Sequence, residues 1–121
     1  MLNRKEAIKQ YKQTVQPMGI FQIRNLSDGN VYIDSSKNLN GSKNSNLFQL
    51  KMGTHMNRPL QDDYTRLGAD RFVFEILDQL KPKEDLASDY TEDLAVLKTM
   101  WLEKLQPYDE KGYNVPAKST V

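Results

Sequence analysis

Cysteine is missing from all 121 residues, which excludes disulfides, thiolate nucleophiles and zinc held by sulfur. Histidine is nearly missing too: His55 stands alone, so any metal would have to be held by oxygen. No apolar run approaches the length of a membrane-spanning helix, and Met1-Leu2-Asn3-Arg4-Lys5-Glu6 leads into a polar helix instead of a signal-peptide core. The expectation is a cytoplasmic protein with no membrane contact. An excess of either charge is also absent, since the net charge is only +1, and the chain as a whole has no field that would draw in nucleic acid.

What is present suits one compact domain. With 38% hydrophobic residues, the chain can fill a single core but not two. Its charge is unevenly spread: residues 1–60 hold nine Lys/Arg against three Asp/Glu, and residues 61–121 hold eight against thirteen. Such asymmetry marks a basic binding face unless folding interleaves the two halves.

Local patterns divide the chain into elements. Ala7, Ile8, Tyr11 and Val15 recur at helical spacing up to Pro17, predicting an amphipathic N-terminal helix over 1–17 that packs on the domain. Met18 to Arg24 and Val31 to Ile33 read as strands joined through Ser27-Asp28-Gly29-Asn30, an antiparallel hairpin. The Ser/Asn/Lys-rich run 35–46 reads as a loop or frayed helix, followed by a weak helical pattern at Leu47, Leu50 and Lys51 up to Gly53. Asn57 caps a helix with Pro59 in its first turn, with Leu60, Tyr64 and Leu67 on one face and Gly68 at its end. Phe72 to Leu77 reads as a third strand, buried on both faces except at Glu75. After a charged loop over 81–89, Asp89 or Thr91 caps a last helix with Leu94, Leu97, Trp101 and Leu105 on one face before Pro107. Gly112-Tyr113-Asn114 closes the domain, and 115–121 reads as a flexible tail. The expected fold is a small α/β (α+β) sandwich around a three-stranded antiparallel sheet flanked by helices.

The order Gly19-Ile20-Phe21, Gln22-Ile23-Arg24-Asn25, Val31-Tyr32-Ile33 and Ser35-Ser36-Lys37-Asn38-Leu39 resembles GIY-YIG endonuclease domains, homing-endonuclease catalytic modules among them. The likeness continues through His55, Leu60-Gln61, Leu67-Gly68, Phe72 to Leu77, Trp101 and Gly112-Tyr113-Asn114, spanning roughly residues 18–114. It implies a scaffold for metal-dependent hydrolysis of a DNA phosphodiester. The family places two hairpin tyrosines near the attacking water and an arginine at the phosphate. A glutamate on the last long helix holds the metal, and a C-terminal asparagine supports the site. The chemistry asks for a base, a positive charge at phosphate and a carboxylate for a hard cation.

Carried over by position, the resemblance retains Tyr32, His55 and Asn114 and substitutes the rest. Phe21 stands at the first tyrosine, without a hydroxyl to move a proton. Asp34 stands at a glycine and brings bulk and negative charge. Ser42 and Asn46 stand at the helix arginine and at the residue one turn on, and Lys98 stands at the metal-binding glutamate. Glu92 and Glu103 are spaced too far from Lys98 to share its helical face and replace it. Losing a general base costs on the order of 10² to 10⁴ in rate, and losing a transition-state donor on the order of 10² to 10³. The implied outcome is a domain inactive by the family mechanism, with no cofactor needed and Mg or Mn only if activity survives.

Ordinary readings stand beside these. Tyr32 and Trp101 suit core packing, and His55 suits a hydrogen-bonding loop role. Lys98 reads either as a solvated helix lysine or as a cation that enters the old metal cleft and binds phosphate itself. Lys37, Lys43 and Lys51 are candidates for a nucleic-acid backbone and equally for a solvated surface. Three functions follow: an impaired domain that still binds DNA, an active metal-dependent endonuclease with an altered site built from Asp34, Tyr32 and His55, or a protein-interaction module on the same scaffold.

Overall fold

A computed structural model describes residues 16–81 and 89–115 of the chain. Residues 1–15 of the expected N-terminal helix, most of the loop after residue 81 and all but the first residue of the tail lie outside the described residues.

Strand β1 (Gly19–Asn25) pairs antiparallel with β2 (Val31–Ser36) on one side and with β3 (Phe72–Gln79) on the other, giving the order β2-β1-β3. The hairpin predicted from Asp28-Gly29 is present, in a register that sets Ile23 opposite Tyr32 and Phe21 opposite Asp34. Gly29, with φ at 80°, occupies a conformation that a side chain would strain, and its N–H closes the turn on the Asn25 carbonyl at 2.8 Å. At the other end of β1, a Cβ on Gly19 would lie 2.0 Å from the Asp78 carbonyl oxygen, so only glycine lets β3 come this close.

Three helices complete the fold: α1 (Leu39–Met52), α2 (Arg58–Leu67) and α3 (Thr91–Leu105). The Asn57 side chain caps α2 by accepting the Leu60 N–H at 3.0 Å, and the helix ends at Gly68, as predicted. The region 35–46 is a correction: Ser35 and Ser36 end β2, and α1 already begins at Leu39 under an Asn38 cap that accepts the Gly41 N–H at 3.0 Å. Leu39 and Leu50, both 1% exposed, anchor this helix at its two ends, so two buried leucines outweigh the poor helix propensity of the Ser/Asn run between them.

Alternation along the strands makes two cores. Phe21, Ile23 and Tyr32 pack on one face with Leu39, Leu50, Leu60, Phe72 and Tyr113. Ile20, Val31 and Ile33 pack on the other with Leu77, Leu97, Trp101 and Leu102. Two expectations change here. Strand β3 lies at the sheet edge, with Phe72 buried but Ile76 47% exposed, so it is not buried on both faces. On α3 the core contact falls to Leu102, while Leu105 is exposed at the end of the helix. Tyr90 occupies the α3 cap position, and Asp89 serves it from one residue earlier by accepting the Thr91 N–H at 3.0 Å.

The C-terminal segment lies along β2. Val31 bridges Gly112 in parallel, and the Asn114 amide fastens onto Ile33, its Oδ1 accepting the Ile33 N–H and its Nδ2 donating to the Ile33 carbonyl, both at 2.8 Å. A side chain thereby satisfies backbone groups that another strand would otherwise pair.

Candidate functional site

Strand β2 presents Tyr32 and Asp34 two residues apart, hence on one face, and the Tyr32 hydroxyl donates to Asp34 Oδ2 at 3.3 Å. From α3, Lys98 Nζ reaches Asp34 Oδ1 at 3.1 Å. The Ser35 N–H donates to the same Oδ1 at 2.8 Å. Three donors therefore meet on one carboxylate. Lys98 and Asp34 keep side-chain exposures of 34% and 37%, so the pair is open to solvent on one side.

Behind the pair the site is dense. Tyr32 is 9% exposed and meets His55 edge to face, with ring centroids 5.5 Å apart. Burial first, then the charge of Asp34 and the hydrogen bond to it, push the Tyr32 phenol well above its ordinary value, so the hydroxyl stays a donor. Phe21, 1% exposed, stacks on Phe74 at 4.7 Å and meets the edge of Tyr32 at 6.5 Å. It contributes hydrocarbon only, among hydrocarbon.

His55 is 2% exposed and fully engaged. Its Nδ1 accepts the Asn57 N–H at 3.0 Å, which leaves the proton on Nε2 to be donated to Asn46 Oδ1 at 2.7 Å. Burial lowers its basicity, and the nearby Asp34 charge offsets only part of that. Gln61 holds the same loop, accepting the His55 N–H and donating to the Leu50 carbonyl, each at 3.0 Å. Asn46 also donates to the Ser42 carbonyl at 2.7 Å, and the Ser42 hydroxyl makes a short hydrogen bond with Ser36.

Of the residues singled out in the sequence, Tyr32, Phe21 and His55 come together around Asp34 and Lys98, and Ser42 and Asn46 join through His55. Asn114 sits on the β2 backbone at Ile33 with both amide atoms occupied. Lys37, Lys43 and Lys51 are exposed, Lys37 having a distant partner in Asp89 at 3.7 Å. Neither sequence reading of Lys98 included its partner. The signal was there: two substituted positions of one site carry opposite charges, Asp34 and Lys98. A second network also went unread. Tyr113 donates to Asp63 at 2.7 Å and accepts from Asn25 Nδ2 at 3.0 Å, joining the C-terminal segment to α2 and β1.

Asp34 is the one carboxylate among these site residues, and its Oδ1 is engaged by an ammonium. A hard dication needs several oxygen ligands and would be repelled by Lys98, so this donor set does not fit a divalent ion. Among the described residues no group of three or more His, Asp or Glu side chains is gathered to hold one.

Two solved structures have this architecture. The chain is similar to the catalytic domain of the homing endonuclease I-TevI, with a TM-score of 0.67 and 23% identity over 81% of this chain and 97% of that one. A mutant of the same catalytic domain, described as from an intron endonuclease, gives a TM-score of 0.68 and 22% identity over 86% and 98%. The fold is thus GIY-YIG-like, a three-stranded antiparallel sheet with flanking helices. No family model matches the chain, and no curated protein does.

Proposed function

We propose that this chain is a GIY-YIG-like domain that binds nucleic acid and does not cut it by the metal-dependent route of the family it resembles. The observation that carries this reading is the Asp34–Lys98 ion pair at 3.1 Å, which puts an ammonium where hydrolysis would need an anionic metal ligand. Phe21 supports it, since a stacked phenyl ring cannot take a proton from water. Binding is supported by the exposed Lys37, Lys43 and Lys51, which lie just after β2 and along α1.

The test is a supercoiled-plasmid assay with Mg²⁺ and Mn²⁺, run beside a titration of labelled duplex DNA at two salt concentrations. The expected outcome is no nicking and an affinity that falls steeply with salt. Metal-dependent nicking that disappears in Tyr32→Phe would establish the active alternative. A second reading, a protein-interaction module, draws on Phe48, Met52 and Met56, which are 62%, 59% and 82% exposed at the α1 end. Absence of DNA binding at low salt would favour it.

A further inference from the structure

The hydrogen-bonding pattern around Asp34 is that of an anion in its binding site. The ammonium of Lys98 comes from one element, the hydroxyl of Tyr32 from another, and the Ser35 N–H from the backbone, all aimed at the two oxygens of a single carboxylate. The phenol points its proton outward to this anion from a ring otherwise enclosed by Phe21 and His55. On the solvent side the pair is open, and the hydroxyls of Ser36 and Ser42 lie at the same end of the sheet.

We propose that Lys98 and Tyr32 form a phosphodiester-binding site that Asp34 occupies as an internal ligand. A backbone phosphate displaces the carboxylate, takes the Lys98 ion pair and receives the Tyr32 hydroxyl proton as a hydrogen bond. No covalent bond changes. Asp34 sets a threshold: it cancels the Lys98 charge for weakly held anions and yields to a polyanion that Lys37 and Lys43 hold from outside. The inference rests on the nucleic-acid reading above and names the contact that reading requires. It also explains how two substitutions that each look damaging occur together.

Fluorescence anisotropy with a labelled duplex oligonucleotide, across a salt series, separates the two claims. Asp34→Asn keeps the shape of the side chain and removes its charge; Asp34→Ala removes the ligand itself. Both are expected to tighten binding about tenfold at low salt, since one unpaired cation is released toward phosphate. Lys98→Gln is expected to weaken binding about tenfold and to flatten the salt slope by about 0.9, the share of one phosphate contact. The double variant Asp34→Asn/Lys98→Gln is expected to fall between Asp34→Asn and Lys98→Gln, because it lacks the lysine but also lacks the unpaired carboxylate that Lys98→Gln leaves facing the phosphate and the Tyr32 hydroxyl. Inorganic phosphate competes weakly if the site takes phosphate, and chloride at equal ionic strength competes less. Circular dichroism and urea midpoints identify any variant that fails to fold, and the conservative Lys98→Arg then supplies the readout, with binding retained.

Salt-dependent binding by the parent that neither Asp34 nor Lys98 variants alter would overturn the inference and leave the nucleic-acid reading standing. Binding that appears only in the Asp34 variants would support the inference and show the parent to be self-blocked. No binding by any of them at low salt would sink both.

Discussion

His55 has no freedom to take up a second proton without giving up a hydrogen bond. Its Nδ1 accepts from the Asn57 backbone, and protonation there would turn an acceptor into a donor facing a donor. Burial works in the same direction, so the folded protein holds the His55 imidazole below the usual histidine range. The unfolded chain therefore binds the proton first as pH falls, and stability should drop from about pH 6.5 downward. Because His55 is the single histidine, urea midpoints measured between pH 7.5 and 5 should show this decline, and His55→Gln should flatten it. Asp63 and Glu75 act lower down. Burial raises the Asp63 carboxyl, but the Tyr113 hydroxyl and Arg66 outweigh it, while the Arg24 guanidinium holds Glu75 down. Their contributions are lost only as pH falls below the ordinary carboxylate values. The hydrogen-bonding role of His55 was readable from its place before a helix cap. The Asp34–Lys98 contact was not, because a strand and a distant helix meet there and no local pattern announces it.

Among the elements, β2 depends on a side chain for part of its pairing. Asn114→Ala removes both hydrogen bonds to Ile33 and leaves an N–H and a carbonyl to water or to nothing; the expected cost is about 1 to 3 kcal/mol in a denaturant titration. Asn114→Asp keeps the acceptor but loses the donor, and should cost less than alanine at the N–H and more at the carbonyl. Hairpin and α2 were legible in advance because Asp28-Gly29, Asn57, Pro59 and Gly68 each act within a few residues of themselves. The start of α1 was not legible, since six of its first eight residues are Asn, Ser or Gly and it is Leu39 and Leu50, packed against a sheet built elsewhere, that decide the matter. Nor could the composition of β3 reveal which side of β1 it joins. An apolar strand reads the same at the centre and at the edge.

For the molecule as a whole, that placement sets what the surface tolerates. Ile76 is 47% exposed on an edge strand, so Ile76→Lys should change the unfolding free energy by no more than about 0.5 kcal/mol, measured by urea titration. A loss of several kcal/mol would mean that the residue is covered. The same substitution should lower light scattering in concentrated solution, since a lysine on an open edge discourages strand addition. The GIY-YIG-like architecture was legible as a whole because its strings fall in order along most of the chain. What the site does with its altered residues depends on how two opposite charges from distant parts of the chain meet, and no sequence pattern carries that meeting.

The central strand is also the earliest of the three. Since β1 must wait for β3, and β2 for the amide of Asn114, a ribosome emits the middle of the sheet long before either margin can be sealed. Nascent chains halted before Tyr113 should remain sensitive to protease, and protection should arrive abruptly once the last tether has cleared the exit tunnel.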